Sequence, residues 1–261
     1  MNLQQETEKH WRQWCEKLTE AGLAPPEDEG FKSQLMRVWE ASDYVVQSAL
    51  REPGLLGELQ ADGELARTYV PDEMVQRLRE VLAGVTDEAS LGKRLRRYRR
   101  RQMVRIIWRD IAGLAPLEET LEDLSALADA TIGESLSLLY DWTCSEMGTP
   151  RNDAGEAQPL VVLGMGKLGA RELNLSSDID LIFAYPEAGQ TDGPRRASNE
   201  QFFGRLCQRL VPALDNHTAD GSSSCVCVSA WYRRSTTTRR RASSSASTPG
   251  CAPSAASARW R

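Results

Sequence analysis

Two short apolar runs, Leu160-Val161-Val162-Leu163 and Ile179–Tyr185 (IDLIFAY), flank a glycine-rich turn, and the short distance between them limits what this chain can fold into. Apolar, β-branched runs bounded by glycine read as strands. The turn Gly164-Met165-Gly166-Lys167-Leu168-Gly169 fits the dinucleotide fingerprint G-x-G-x-x-G. That fingerprint needs a full helix after the glycines and an acid about 20 residues on, closing the second strand. Here Asp180 stands eleven positions past Gly169 and opens the second run. Arg171–Ser177 is too short for a crossover helix, so an NAD-binding Rossmann protein is kept only as an alternative.

The acids fit a different chemistry. Asp178 and Asp180 flank Ile179 at the start of a strand, and a period of two places both carboxylates on one face. Two hard oxygen ligands side by side suit Mg²⁺, which takes one or two carboxylates and fills its shell with phosphate oxygens and water. A glycine turn offers backbone N–H groups to phosphate, and Lys167 and the hydroxyls of Ser176 and Ser177 add donors. Glycine loop, spacer, Ser-Ser-Asp-x-Asp and apolar strand together give the layout of a metal-dependent nucleotidyl-transfer site. The bland alternative is a pair of solvated acids at a strand end. With only two histidines in the chain, His10 and His217, carboxylates must carry any acid–base or metal chemistry.

Residues 1–147 read as helices. Phe31–Leu50 carries Phe31, Leu35, Val38 and Trp39 at the spacing of one buried helix face. A helix begins near Pro71-Asp72-Glu73 with Val75, Leu78 and Leu82 as its stripe, and Ser90 is placed to cap the next. Leu117, Leu121, Leu124 and Leu127 form a further stripe, then Leu136, Leu139 and Tyr140. The basic run Lys93-Arg94, Arg96-Arg97 and Arg99–Arg101 has two readings: a solvated helix face opposite Met103, Ile106, Ile107 and Ile111, or a contact for an acidic partner or nucleotide phosphates. Residues 148–159 (GTPRNDAGEAQP) read as a linker, and Gln201–Leu214 as a helix packing on the sheet through Phe202, Leu206 and Leu210, kinked or ended by Pro212.

The net charge of −5 argues against a general nucleic-acid or anionic-membrane binder. No signal-peptide pattern opens the chain and no apolar stretch is long enough to span a bilayer, which gives a cytoplasmic expectation. Cys15, Cys144 and Cys207 read as reduced core residues. Cys225-Val226-Cys227 lacks the second pair that a zinc site needs.

Several words of the sequence resemble the bacterial glutamine synthetase adenylyltransferase/adenylyl-removing family: LRRYRRRQMVRIIWRDIAG, LEDLSALADA, LGMGKLGARELNLSSDIDLIFAY and NEQFFGRLCQRL, with VWEASDYV upstream. The resemblance covers roughly residues 30 to 221 and is specific to the first, N-terminal half of that family. It implies an α+β chain, a helical N-terminal region followed by an incomplete nucleotidyltransferase-type mixed-sheet domain over 160–221. It implies Mg²⁺, ATP or ADP and phosphate at the site, and glutamine synthetase as protein substrate, whose adenylyl-tyrosine is relieved of AMP by phosphorolysis. It also leaves room for a nitrogen-signalling regulatory protein as partner. Asp178 and Asp180 match the family's paired metal-binding aspartates, Ser177 precedes them as in its pattern, and Gly164, Gly166 and Gly169 match its glycine loop. Ala170 stands where the family usually has glycine.

After Gly221 the family continues with a strand reading roughly Phe-Val-Phe-Arg-Val-Asp, which carries a third carboxylate. This chain reads Ser222-Ser223-Ser224, and the stretch from 222 to 261 has no Asp, Glu, Lys, Leu, Ile or Phe. Its composition reads as disordered. One lost base would turn codons for Phe-Val-Phe into codons for serine, so 222–261 is expected to be an out-of-frame tail; an RNA-binding Ser/Arg segment is the alternative. With the third acid missing, a catalytically inactive fragment that only binds glutamine synthetase stands beside the enzyme reading.

Overall fold

The computed structural model describes residues 3–215 and 229–234. Helices come first: α1 (Leu3–Glu20), α2 (Glu29–Ala41), α3 (Asp43–Arg51), α4 (Leu55–Ala61), α5 (Glu73–Leu82), α6 (Glu88–Ile111) and α7 (Leu117–Met147). Then follow β1 (Pro150–Arg151), β2 (Val161–Gly164), α8 (Gly166–Gly169), β3 (Asp180–Tyr185), β4 (Gln190–Thr191), α9 (Asn199–Asp215) and β5 (Ser229–Arg234). The expected α+β order is therefore present. Two compact units divide the described chain: residues up to 130 with 171–175, and residues 131–170 with 176–215 and β5. The division falls inside α7, not in the segment read as a linker.

In the first unit the apolar faces of α1, α2, α3, α4 and α6 close over one core that includes Trp14, Leu35, Trp39, Leu56 and Trp108. Phe31 stacks on Trp108 with ring centroids 5.1 Å apart, a contact worth about 1 kcal/mol beyond area burial. The stripe Phe31, Leu35, Val38, Trp39 is buried as its spacing requires. The single helix expected over 31–50 is broken instead. Ser42 leaves α2 in an extended conformation and its hydroxyl accepts the Val45 N–H, starting α3. At α6 the cap is Asp87, whose carboxylate accepts the Ser90 N–H, so Ser90 sits three residues inside the helix as the donor. Met74 takes the buried place expected of Val75, and Leu117 is solvent-exposed at the head of α7.

Part of the basic run on α6, Arg97 and Arg101, together with Arg105 and Arg109 beyond it, proves to be internal wiring. Arg97, Arg101, Arg105 and Arg109 recur every four residues along one face. Arg101 donates to Glu58, Asp62 and Glu64, and Glu64 also accepts from Arg77 at 2.9 Å and the Tyr69 hydroxyl at 2.6 Å. Glu64 is fully buried, so these donors are what make its charge tolerable. Arg105, also fully buried, donates to Asp123 at 2.6 Å and to the carbonyls of Glu64 and Arg67, and its guanidinium lies 3.6 Å from the Tyr69 ring centroid. Arg109 reaches Glu119 and the carbonyls of Leu65 and Leu114. The connection from α4 to α5 is thus lashed to α6 by guanidinium groups. Glu73, at the start of α5, takes donors from Arg67, Arg77 and the Val70 N–H.

The second unit holds a three-stranded mixed sheet of order β2-β3-β5. β2 pairs antiparallel with β3 (Val162 opposite Phe183, Gly164 opposite Leu181), and β3 pairs parallel with β5. α9 covers the sheet through Phe202, Phe203, Leu206 and Leu210, all fully buried, with Phe203 stacked on Tyr185 of β3. Pro212 lies inside α9 without ending it. Two expectations are corrected here. Residues 148–159 contain β1, which pairs with β4, and Asn152 closes a turn by accepting the N–H groups of Ala154 and Glu156. Within the stretch expected to be disordered, residues 229–234 form a strand; the rest of 222–261 lies outside the described residues. A parallel ladder needs only backbone groups and a free edge, and β3 supplies that edge whatever the hydrophobic period of its partner.

Two outcomes follow for the first unit. Replacing Arg105 with alanine strands Asp123 and removes the donor to the carbonyls of Glu64 and Arg67, and should lower stability by about 3–5 kcal/mol in urea unfolding followed by tryptophan fluorescence. Glu73 is held well below its ordinary value of 4.5, at about 2, chiefly by Arg67 and then by Arg77. Its folded-state pKa is depressed, so its contribution is present above about 4.5 and lost as pH falls toward 2. Thermal midpoints should therefore drop over that window, and Glu73→Gln should flatten the drop.

Candidate active site

Along β3 burial alternates. Ile179, Leu181, Phe183 and Tyr185 point into the core, while Asp178, just before the strand, and Asp180, its first residue, are exposed. The pleat therefore puts both carboxylates on the solvent side, as the period of two requires. The glycine turn begins at the end of β2, and the Met165 N–H donates to the Asp180 carbonyl at 2.9 Å. The turn is thereby fastened beside the first residue of β3.

Each glycine of the turn has its own reason. A Cβ on Gly164 would fall 2.9 Å from Leu168 Cγ, and one on Gly169 would fall 2.5 Å from the Gly164 carbonyl oxygen. Gly166 has φ +56 with open space around it, so there the need is backbone conformation alone. Leu168 is buried and anchors the turn, leaving Met165, Gly166 and Lys167 facing solvent. Ala170, where the family usually has glycine, is right-handed at φ −86 and ψ −4, so its methyl group meets no conformational penalty. The glycine turn itself holds only the single turn α8, inside the fingerprint rather than after it, and the strands on either side, β2 and β3, run antiparallel. A Rossmann βαβ unit requires parallel strands and a full crossover helix, so this pairing excludes it.

Ser176 is exposed and Ser177 half-buried, both just ahead of Asp178. The sequence-read set Gly164, Gly166, Lys167, Gly169, Ser176, Ser177, Asp178 and Asp180 therefore lies in the glycine turn and the approach to β3, within the second unit. Among the described residues no group of three His, Cys, Asp or Glu is arranged to hold a metal. Arg171, which the sequence did not single out, adopts φ +57 and pairs with Glu122 and Asp129 within the first unit. Nothing in its local sequence signals this, because both partners lie more than 40 residues away.

The family model for glutamate-ammonia ligase adenylyltransferase matches residues 32–225. The chain belongs to this family. Bifunctional glutamine synthetase adenylyltransferase/adenylyl-removing enzymes are similar to it: the protein of Nitrosococcus oceani is 48% identical over 200 residues, covering 74% of this chain and 21% of the relative. That of Pseudomonas aeruginosa is 52% identical over 187 residues, covering 71% and 19%, and that of Pseudomonas putida 51% over 192 residues, covering 73% and 20%. The chain spans about a fifth of the length of the curated relatives it matches. Among the described residues no helix is long and apolar enough to cross a membrane. The strand that follows α9 in the described chain, β5, reads Ser-Ala-Trp-Tyr-Arg-Arg and contains no carboxylate.

The turn yields a graded expectation. Gly169→Ala should open the Met165–Asp180 bond and speed amide exchange at Met165, because its methyl group has nowhere to go. Gly166→Ala should cost only about 1–2 kcal/mol of left-handed strain and leave that exchange rate nearly unchanged.

Proposed function

We propose that this chain is a nucleotidyl-transfer unit of the glutamine synthetase adenylylation system, the half that removes AMP from adenylyl-tyrosine. The observation that carries the reading is the exposed pair Asp178 and Asp180 on one side of β3, with the glycine turn fastened against it. Two solvent-facing carboxylates at the head of a strand fit Mg²⁺, which needs few protein ligands when phosphate supplies the rest. Asp178 and Asp180 would hold the ion, and when bound it would offset negative charge on the phosphates. Lys167 adds a positive charge beside the turn, and Ser176 and Ser177 bring hydroxyl donors to the approach of β3. In phosphorolysis a phosphate oxygen bonds to the α-phosphorus, the bond from phosphorus to the tyrosine oxygen breaks, and ADP leaves with the tyrosine hydroxyl restored. Positioning and charge compensation carry such a transfer.

A second reading has its own support. With β5 offering no acid, the site has two carboxylates where the family resemblance implies three, and a chain that docks on glutamine synthetase without turnover fits that deficit. On the enzyme reading release of ADP should be slow; on the docking reading there is none.

Calorimetric titration of the full chain with ADP in the presence and absence of Mg²⁺ tests the site. Binding is expected to require Mg²⁺ and to weaken at least roughly tenfold, about 1.4 kcal/mol, in Asp178→Asn/Asp180→Asn. Equal ADP affinity in that variant would refute the assignment. ADP release from adenylylated glutamine synthetase with phosphate then separates the readings: an enzyme loses its slow release in the variant, whereas a docking chain shows none and binds glutamine synthetase equally well either way.

A further inference from the structure

The alternation of β2 continues past its last residue. Met165 is still extended, at φ −103 and ψ 165. Its N–H reaches the Asp180 carbonyl at 2.9 Å, which carries the register one step beyond the pair of Gly164 and Leu181. Met165 therefore stands directly across from Asp180. Opposed residues in an antiparallel ladder share a face, with Cα atoms about 5 Å apart. Counting back by two, Leu163 lies on that same face opposite Ile182, and Val161 opposite Ala184. One side of the sheet thus bears the acids and a row of apolar side chains, while Val162, Leu181 and Phe183 fill the core on the other. Leu163 and Ile182 are half-buried, and Met165 is 45% exposed. At that exposure Met165 adds little to the core, and it is the buried Leu168 that anchors the turn.

We propose that Met165, with Leu163 and Ile182 beside it, is the platform on which the adenine ring of the bound nucleotide lies. The inference rests on the reading of Asp178 and Asp180 as the metal ligands at the phosphates. Sites for small ligands are mostly apolar, with a few polar groups that fix orientation, and this face supplies both kinds side by side. Two residues of strand span about 6.6 Å, the order of the distance from a nucleotide's α-phosphorus across the ribose to its base. Ile182 lies that far from Asp180, with Leu163 opposite it. Methionine suits a planar ring, because its unbranched thioether adapts to the surface it meets and makes favourable contacts with aromatic systems. A protein substrate is positioned by its whole contact surface. A free nucleotide must draw its base affinity from a few side chains at the site, and these three are placed to give it. All of them lie in the second unit with the acids.

The test titrates the full chain calorimetrically with ADP and with inorganic pyrophosphate, each in the presence of Mg²⁺. Met165→Gln keeps the length of the side chain and removes its apolar end. It should weaken ADP roughly fivefold or more and leave pyrophosphate unchanged, whereas Met165→Leu stays within about twofold of the unaltered chain for both. A second measurement needs no variant: the isotope-labelled methyl resonance of Met165 should move upfield on adding ADP and stay in place on adding pyrophosphate, because only ADP brings an aromatic ring over it. Unchanged ADP affinity in Met165→Gln, an equal loss of both ligands, or the lack of that upfield shift overturns the platform. Asp178→Asn/Asp180→Asn tells this failure from that of the reading beneath it. If pyrophosphate binding needs the two acids while ADP ignores Met165, the platform alone falls. If the unaltered chain binds neither ligand, or the acid variant keeps both, the metal reading falls and the platform with it.

Discussion

The register between β2 and β3 is the constraint on which the candidate site depends. Because Gly164 stands opposite Leu181, the chain leaving β2 emerges beside the first residue of β3, and one hydrogen bond from Met165 to Asp180 closes the gap. A shift of one residue would turn Asp178 and Asp180 into the core and Ile179 and Leu181 to solvent, at a cost no sheet of this size could bear. The buried side of β3, packed under Phe202 and Phe203, therefore fixes the direction of the acids as firmly as any contact the acids make themselves.

The first unit solves a different problem. Its core is large enough to order the helices, but the connection between α4 and α5 carries backbone carbonyls and a buried glutamate that apolar packing cannot satisfy. Arginines at four-residue intervals answer this because each guanidinium presents several donors in one plane. Arg105 alone engages a carboxylate, two carbonyls and an aromatic face. Burial raises Asp123 above the ordinary carboxylate range despite Arg105, which shows how little surplus such a pair holds once desolvation is counted.

Much of this was legible in the sequence, for definite reasons. The stripe on α2 and the face of α9 follow from periodicity, and the same-side placement of Asp178 and Asp180 follows from the pleat. The antiparallel course of β2 and β3 was only half legible: the short spacer ruled out a crossover helix without saying which way the second strand would run. The break at Ser42 was hidden because the apolar period continues across it, while the cap that makes it is a single hydroxyl. Arg105 and Arg109 were hidden for a deeper reason. Charge on a helix reads as a solvated face unless its distant partners are known, and Asp123 and Glu119 are not marked in sequence as their partners. β5 escaped notice because composition was used to judge order, whereas pairing to a waiting edge draws on backbone groups that every non-proline residue has.

Glu64 also bears on how the first unit assembles. Its donors come from Tyr69 and Arg77, nearby in sequence, and from Arg101, 37 residues away on α6. Closing the long contact costs chain entropy, while leaving it open in a half-collapsed state would put a carboxylate in a dry site with fewer counter-charges. Partly docked arrangements of α6 are thus penalised from both sides. The unit is driven toward a concerted transition in which the helix seats only when its whole row of arginines finds its places together, and a buried charge serves folding as a check against premature collapse.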